Sequence, residues 1–362
     1  YEYGKEVARQ CREIGVHVNF APVADVDNNP LNPVINTRSF GGDPKNVAEK
    51  VVAYSRGLED GGVLSVSKHF PGHGDTNVDS HKALPVLNFS RERLDSVELY
   101  PFRKMIEAGL GGVMVGHLEV PALSKKTASL SPEIIGLLKE EYGFKGLVFT
   151  DALEMKGVSN NLNVCARALM AGNDMLLAPR NLKRELDGVL AAVKSGELTE
   201  EQITEKCRKV LTFKYALGLH EKQFIQLSGL ENRLTRPETK DLIARIQKAA
   251  VTVASNDGGA LPLEMSLKGS VVLNIGKSSA GDVFSKRLKR YLSVDCIQAN
   301  PDSIAKIRKR LSAYDRVIVA IHTEKYAPYQ SLLNEIAIKK PSNTSAIMLR
   351  VFSKSFFFSD NK

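Results

Sequence analysis

Apolar residues along this chain recur in two alternating registers, one of helical and one of strand period. Residues 1–15 place Tyr3, Val7, Ala8, Cys11 and Ile14 at helical spacing, and Gly15 closes the run. Val16 to Asp25 is apolar on alternate positions, as in a half-buried strand. A polar loop rich in Asn and Pro leads to Asn36-Thr37-Arg38-Ser39-Phe40-Gly41, and Asp43-Pro44 supplies a cap and first turn for a helix over 44–60. Val63-Leu64-Ser65-Val66 reads as a buried strand. The alternation then repeats: a helix over 91–108 with Phe102, Met105 and Ile106 on one face, a strand Gly112 to His117, and a helix from Ser131-Pro132 through 141. A strand Gly146 to Asp151, a helix over 163–171, a strand Asp174 to Ala178, and helices over 181–195 and 200–217 follow, closed by Gly218.

Strands alternating with helices at this spacing predict a parallel sheet. Four of the five strands stop at or just before an ionisable residue: Asp25, His69, His117 and Asp151. That pattern marks a (β/α)8 TIM-type barrel, an α/β fold whose site lies at the carboxyl ends of its strands. An open doubly wound sheet is the alternative, but it would want a Gly-rich phosphate turn after its first strand, and none is visible. A barrel needs eight strands and five are readable. The chain also starts at Tyr1 in mid-helix pattern, so the expectation is that the N-terminal strands of the barrel are missing and that the compartment is not legible. The barrel is expected to occupy 1–218, a polar linker 219–238, and a smaller, incomplete α/β sandwich domain 239–362. In that last part helices are predicted over 239–255, 281–292, 301–312 and 327–339, and strands over 271–276, 316–321 and 346–352.

Hydrophobic content of 43% and charged content of 25% fit a globular protein. No apolar run reaches the roughly 18 residues of a membrane span. The net charge of +9 gathers late, at Lys286, Arg287, Lys289 and Arg290 and again at Lys306, Arg308, Lys309 and Arg310. Solvated helix faces are the plain reading. A surface for nucleic acid or another anionic polymer is the sharper one, and no interleaved aromatics support nucleic acid. Cys11, Cys165, Cys207 and Cys296 are too widely spaced for a zinc site or a disulfide framework, so neither metal nor cofactor is expected from them.

The densest chemistry lies between Ser67 and Pro85, where His69, His73 and His81 share one Gly-rich stretch with Lys68, Asp75 and Asp79. Three readings compete. A metal site has usable ligand types, but Pro71-Gly72 interrupts the helical spacing that pairs two histidines. A structural loop would use the same residues as caps. A proton-handling loop would use Asp79-Ser80-His81, where a carboxylate two residues from an imidazole can hold one ring nitrogen and leave the other to exchange protons. Asp151, at the end of Val148-Phe149-Thr150, is either a reactive carboxylate on the barrel rim or the N-cap of the next helix, with Glu154 completing the cap.

Lys68-His69-Phe70-Pro71-Gly72-His73-Gly74-Asp75-Thr76, with Asp79-Ser80-His81 and Leu84-Pro85, resembles the signature of glycoside hydrolase family 3, β-N-acetylglucosaminidase branch. Asn19 to Asp25, Arg38-Ser39-Phe40-Gly41, Phe149 to Met155 and Ala171 to Leu176 agree with it. The resemblance covers residues 1–220 and continues more weakly from Ala249 to Leu263. It implies Asp151 as the nucleophile, His81 as general acid/base with Asp79 as its dyad partner, and Arg38, Lys68 and His69 as sugar-binding residues. The reaction implied is retaining hydrolysis of terminal non-reducing β-linked N-acetylglucosamine, from peptidoglycan fragments or chitooligosaccharides, with no cofactor and no metal. A relative of β-glucosidase specificity, or a non-catalytic sugar-binding relative, is the alternative. The stretch between Gly157 and Ala168 is shorter than the resemblance leads one to expect.

Overall fold

The computed structural model of the 362-residue chain describes residues 1–76, 84–158, 162–221, 224–253, 256, 261–263, 269–323, 325–339 and 347–350. Two compact units divide it, Tyr1–Ala249 and Ala250–Lys362. The boundary therefore falls after the stretch 219–238 that the sequence reads as a linker. That stretch is tied to the first helix: Arg233 pairs with Glu13 at 2.7 Å, and Arg9 donates to the carbonyl of Leu234 at 3.1 Å.

The first unit holds strands β1 (Val18–Asn19), β2 (Leu64–Phe70), β3 (Gly112–Val115), β4 (Val148–Ala152) and β5 (Met175–Leu177). All four pairings are parallel and the sheet order follows the chain order, giving a curled half-barrel. The helices are α1 (Glu2–Glu13), α2 (Pro44–Asp60), α3 (Arg91–Ser96), α4 (Tyr100–Glu107), α5 (Pro132–Gly136), α6 (Val164–Ala171), α7 (Leu182–Ser195), α8 (Glu200–Ala216), α9 (Leu230–Leu234) and α10 (Pro237–Ala250). Asp43 caps α2 by accepting from the Asn46 amide at 2.7 Å, with Pro44 in the first turn. The predicted helix over 91–108 is two helices, because Pro101 carries no amide hydrogen to continue a ladder and starts α4 afresh. A π-helical turn, Leu137–Glu141, extends α5.

Alternation along the strands sends side chains to two faces. Val113, Val115, Phe70 and Val148 pack outward on Val47, Val51, Phe102, Met105 and Ile134 of the surrounding helices. Leu64, Val66, Met114 and Phe149 face inward, against Val210 and Phe213 of α8 and Leu217 just after it. Lys68 continues the Leu64-Val66 row and Asp151 follows Phe149, so both side chains stand on the inner face at the carboxyl end. At the opposite end, the buried Asp174 carboxylate joins three elements. It accepts from Lys139 at 2.9 Å, from Lys209 of α8 at 2.8 Å and from the Val148 amide of β4 at 2.9 Å. Lys206, beside this cluster, is pushed down to about 8, mainly by burial and then by the Lys139 charge.

The second unit is a four-stranded parallel sheet in the order β7-β6-β8-β9, with β6 (Ser270–Gly276), β7 (Val294–Gln298), β8 (Arg316–His322) and β9 (Ile347–Arg350). Strand β7 was not legible in the sequence, since only Val294 and Ile297 of its five residues are buried. Helix α11 (Ser278–Leu288) packs Phe284 and Leu288 toward Val272. Helices α12 (Ile304–Leu311) and α13 (Gln330–Lys339) cover the other face through Ile307, Leu311, Leu332 and Leu333. No helix among the described residues is long and apolar enough to cross a membrane.

Candidate functional site

Strand β2 runs through Phe70, four residues beyond the predicted stop, so Lys68 and His69 sit on the strand itself. Asp25 explains how the polar stretch after it is shaped. Its carboxylate is fully buried and takes three donors: the His69 amide at 3.1 Å, the His69 ring Nδ1 at 2.8 Å and the His73 amide at 2.7 Å. Because the carboxylate only accepts, Nδ1 carries the hydrogen and the opposite ring nitrogen of His69 is left for a ligand. The Asp25 backbone is held in turn, its carbonyl accepting from Ser39 Oγ at 2.6 Å.

The glycines of this stretch have a steric cause. A Cβ at Gly74 would lie 1.8 Å from the Val26 carbonyl oxygen, so only glycine lets the loop lie against the Asp25-Val26 backbone. Gly72 has φ +133 and faces Glu98. His73 is buried, bonds Thr76 Oγ1 through Nδ1 at 2.8 Å, and meets the His69 ring edge-on at 5.8 Å between centroids. Its carbonyl and that of Gly74 accept from Asn32 Nδ2, each at 2.8 Å. Asp75 lies 3.5 Å from Arg93, which also pairs with Glu98 at 2.9 Å. His73 thus serves the loop's own bonding, and Asp75 ties the loop to Arg93 of α3.

Asp151 is the penultimate residue of β4 and does not cap a helix. The next helix, α6, begins thirteen residues later behind Asn163, and Asp151 Oδ1 accepts from the adjacent Ala152 amide at 2.8 Å. The carbonyl of Ala152, in the following peptide, bonds His117 Nε2 at 3.0 Å, while His117 Nδ1 bonds Ser129 Oγ at 2.7 Å. Burial alone would raise the Asp151 carboxyl, but His69, His117, the Ala152 amide and Lys68 together hold it below the ordinary value. Lys68 is lowered, first by burial and then by Arg38, with Asp151 and Asp25 opposing. His117 and His73 are both lowered, chiefly by burial. A nearly ionised carboxylate facing a cluster of cation and imidazole groups can attack an electron-poor carbon.

The structure thus brings Lys68, His69 and Asp151 into one electrostatic cluster. Arg38 is exposed, bonds the Val34 carbonyl through Nε at 2.9 Å and lies within reach of the Lys68 charge. Asp79 and His81 lie outside the described residues. Asp25 and His117 were visible in sequence only as strand-end polar residues, and their bonding partners are distant in the chain. A cavity of about 1270 Å³ on the first unit lies elsewhere, along α1 and the stretch 219–245, and none of these site residues lines it.

A family model described as the glycosyl hydrolase family 3 N-terminal domain matches residues 1–213. Beta-hexosaminidase A of Pseudoalteromonas piscicida is 34% identical over 283 residues, covering 71% of this chain and 47% of that protein. Beta-hexosaminidase LpqI of Mycobacterium bovis is 38% identical over 225 residues, 59% of this chain and 58% of that protein. The chain spans about half the length of these curated relatives. The solved structure of a glycoside hydrolase family 3 beta-N-acetylglucosaminidase from Paenibacillus sp. str. FPU-7 matches with a TM-score of 0.77 and 31% identity. That match covers 96% of this chain and 71% of that one.

Proposed function

The chain belongs to glycosyl hydrolase family 3, and we propose that it contributes the catalytic core of a retaining β-N-acetylhexosaminidase. Its substrates in this reading are terminal non-reducing β-linked N-acetylglucosamine residues of peptidoglycan fragments or chitooligosaccharides. The observation that carries the reading is the meeting of Asp151 with Lys68 and His69 at the carboxyl ends of β4 and β2, in a chain whose relatives are named hexosaminidases. Asp151, kept ionised by its neighbours, attacks the anomeric carbon and forms a glycosyl ester. His81, partnered by Asp79, protonates the leaving oxygen and then deprotonates the water that releases the sugar. An imidazole in that role avoids a second negative charge beside the nucleophile. Lys68 and Arg38 donate to sugar hydroxyls, and His69 accepts from one through the ring nitrogen that Asp25 leaves open.

The test is hydrolysis of 4-nitrophenyl β-N-acetylglucosaminide by the chain and two variants. Asp151→Asn is expected to lower kcat by on the order of 10⁴-fold. His81→Ala is expected to slow substrates with poor leaving groups far more than the nitrophenyl one. Equal slowing of both removes His81 from the acid role, and an α-configured first product in place of a β-configured one rules out the two-step path.

A further inference from the structure

We propose that Lys206 is a site of reversible carbamate formation with carbon dioxide, at the amino end of the half-barrel. Three lysine side chains converge there on three consecutive residues. Lys139 donates to the Gly172 carbonyl at 2.6 Å and to Asp174 Oδ1 at 2.9 Å. Lys206 donates to the Asn173 carbonyl at 2.9 Å. Lys209, one turn further along α8, donates to Asp174 Oδ2 at 2.8 Å and to the Gly146 carbonyl at 2.7 Å.

The charges of this cluster do not balance. Lys139 and Lys209 take both oxygens of Asp174, and Lys206 bonds no carboxylate among the described residues. Lys206 is half-buried, so its charge would stand against two like charges without full hydration. Burial first and then the Lys139 charge push its amine down to about 8, with Lys209 adding to them and Asp174 and the exposed Glu205 opposing. At about pH 7.5 roughly a quarter of such an amine is neutral, about 200-fold more than of an ordinary lysine. The neutral amine is the nucleophile.

Hydrogen-bond counting selects the electrophile. An ammonium has three N–H donors, and Lys139 and Lys209 each use two in the bonds above. One donor on each is left over. An acetyl group on Lys206 would offer one oxygen and an imine none. A carbamate offers two oxygens, carries the negative charge that the cluster lacks, and keeps an N–H for the Asn173 carbonyl. In the reaction the Lys206 nitrogen lone pair forms a bond to the carbon of carbon dioxide. One C–O π pair moves onto oxygen, and the nitrogen loses a proton to water. Protonation of the carbamate nitrogen reverses the step by breaking the new bond. The cluster takes no part in the proposed hydrolysis, and the modification is measured without turnover, so the two readings stand or fall apart.

The test equilibrates the whole chain, with its lysines labelled in heavy nitrogen, against bicarbonate and carbon dioxide labelled in heavy carbon. The expected spectrum has a carbamate carbon resonance split by a lysine nitrogen, and Lys206→Arg loses it. Triethyloxonium esterifies carbamates, and peptide mass spectrometry then places the adduct in the unaltered chain, so the answer does not depend on how the variant folds. Lys206 should carry about tenfold more adduct than any exposed lysine, given its larger neutral fraction. The proposal is overturned by the absence of a nitrogen-coupled resonance, or by one that persists in Lys206→Arg. It is overturned as well by bicarbonate that binds without coupling to nitrogen, as an ion only, or by equal labelling of the exposed lysines.

Discussion

Asp25 sets the chemistry of a ring it does not share a strand with. One carboxylate oxygen takes two amides and the other takes His69 Nδ1–H. In Asp25→Asn the amide oxygen can keep the two backbone donors, which turns its NH2 group toward Nδ1. His69 must then accept there and carry its hydrogen on Nε2, so the nitrogen offered to a sugar changes from acceptor to donor. The fold should survive, and kcat/KM for an N-acetylglucosaminide should fall by about 10- to 100-fold, the usual loss when the partner of a functional imidazole is replaced. Nitrogen NMR of the His69 ring reads the tautomer directly. An unchanged ring pattern in the variant would show that Asp25 does not set it.

At the scale of elements, the two ends of the half-barrel do different work. The carboxyl end carries Lys68, His69 and Asp151, and the amino end carries the Asp174 junction. Asp174 is lowered despite its burial, because Lys139 and Lys209 and the Val148 amide favour the charged form. A depressed folded-state value means that the contribution is present above the unfolded aspartate value of about 3.9 and is lost as pH falls through the folded value. Asp174→Asn should therefore cost about 3 kcal/mol at neutral pH, as for breaking a buried ion pair. It should also flatten the acid limb of a urea-stability profile. A variant that keeps the wild-type acid limb would assign the acid sensitivity to other groups.

For the molecule as a whole, periodicity located most elements, because each strand and helix buries a face that repeats in sequence. Pro101 broke a helix whose apolar spacing reads as continuous, and β7 went unseen because two buried residues make no pattern. Of the candidate site, Lys68, His69 and Asp151 were legible from their motif and their strand ends. Asp25 was not legible as a partner, since its role exists only once the chain has folded it against His69, 44 positions away. The boundary at 249/250 was hidden for the same reason: Arg9, Glu13 and Arg233 look like ordinary surface charges until they meet. The amides of His69 and His73 point at a carboxylate with no exposure to solvent. Deuterium can reach them only when the first unit opens around Asp25, so their exchange rates are a clock for that opening, read without any substrate.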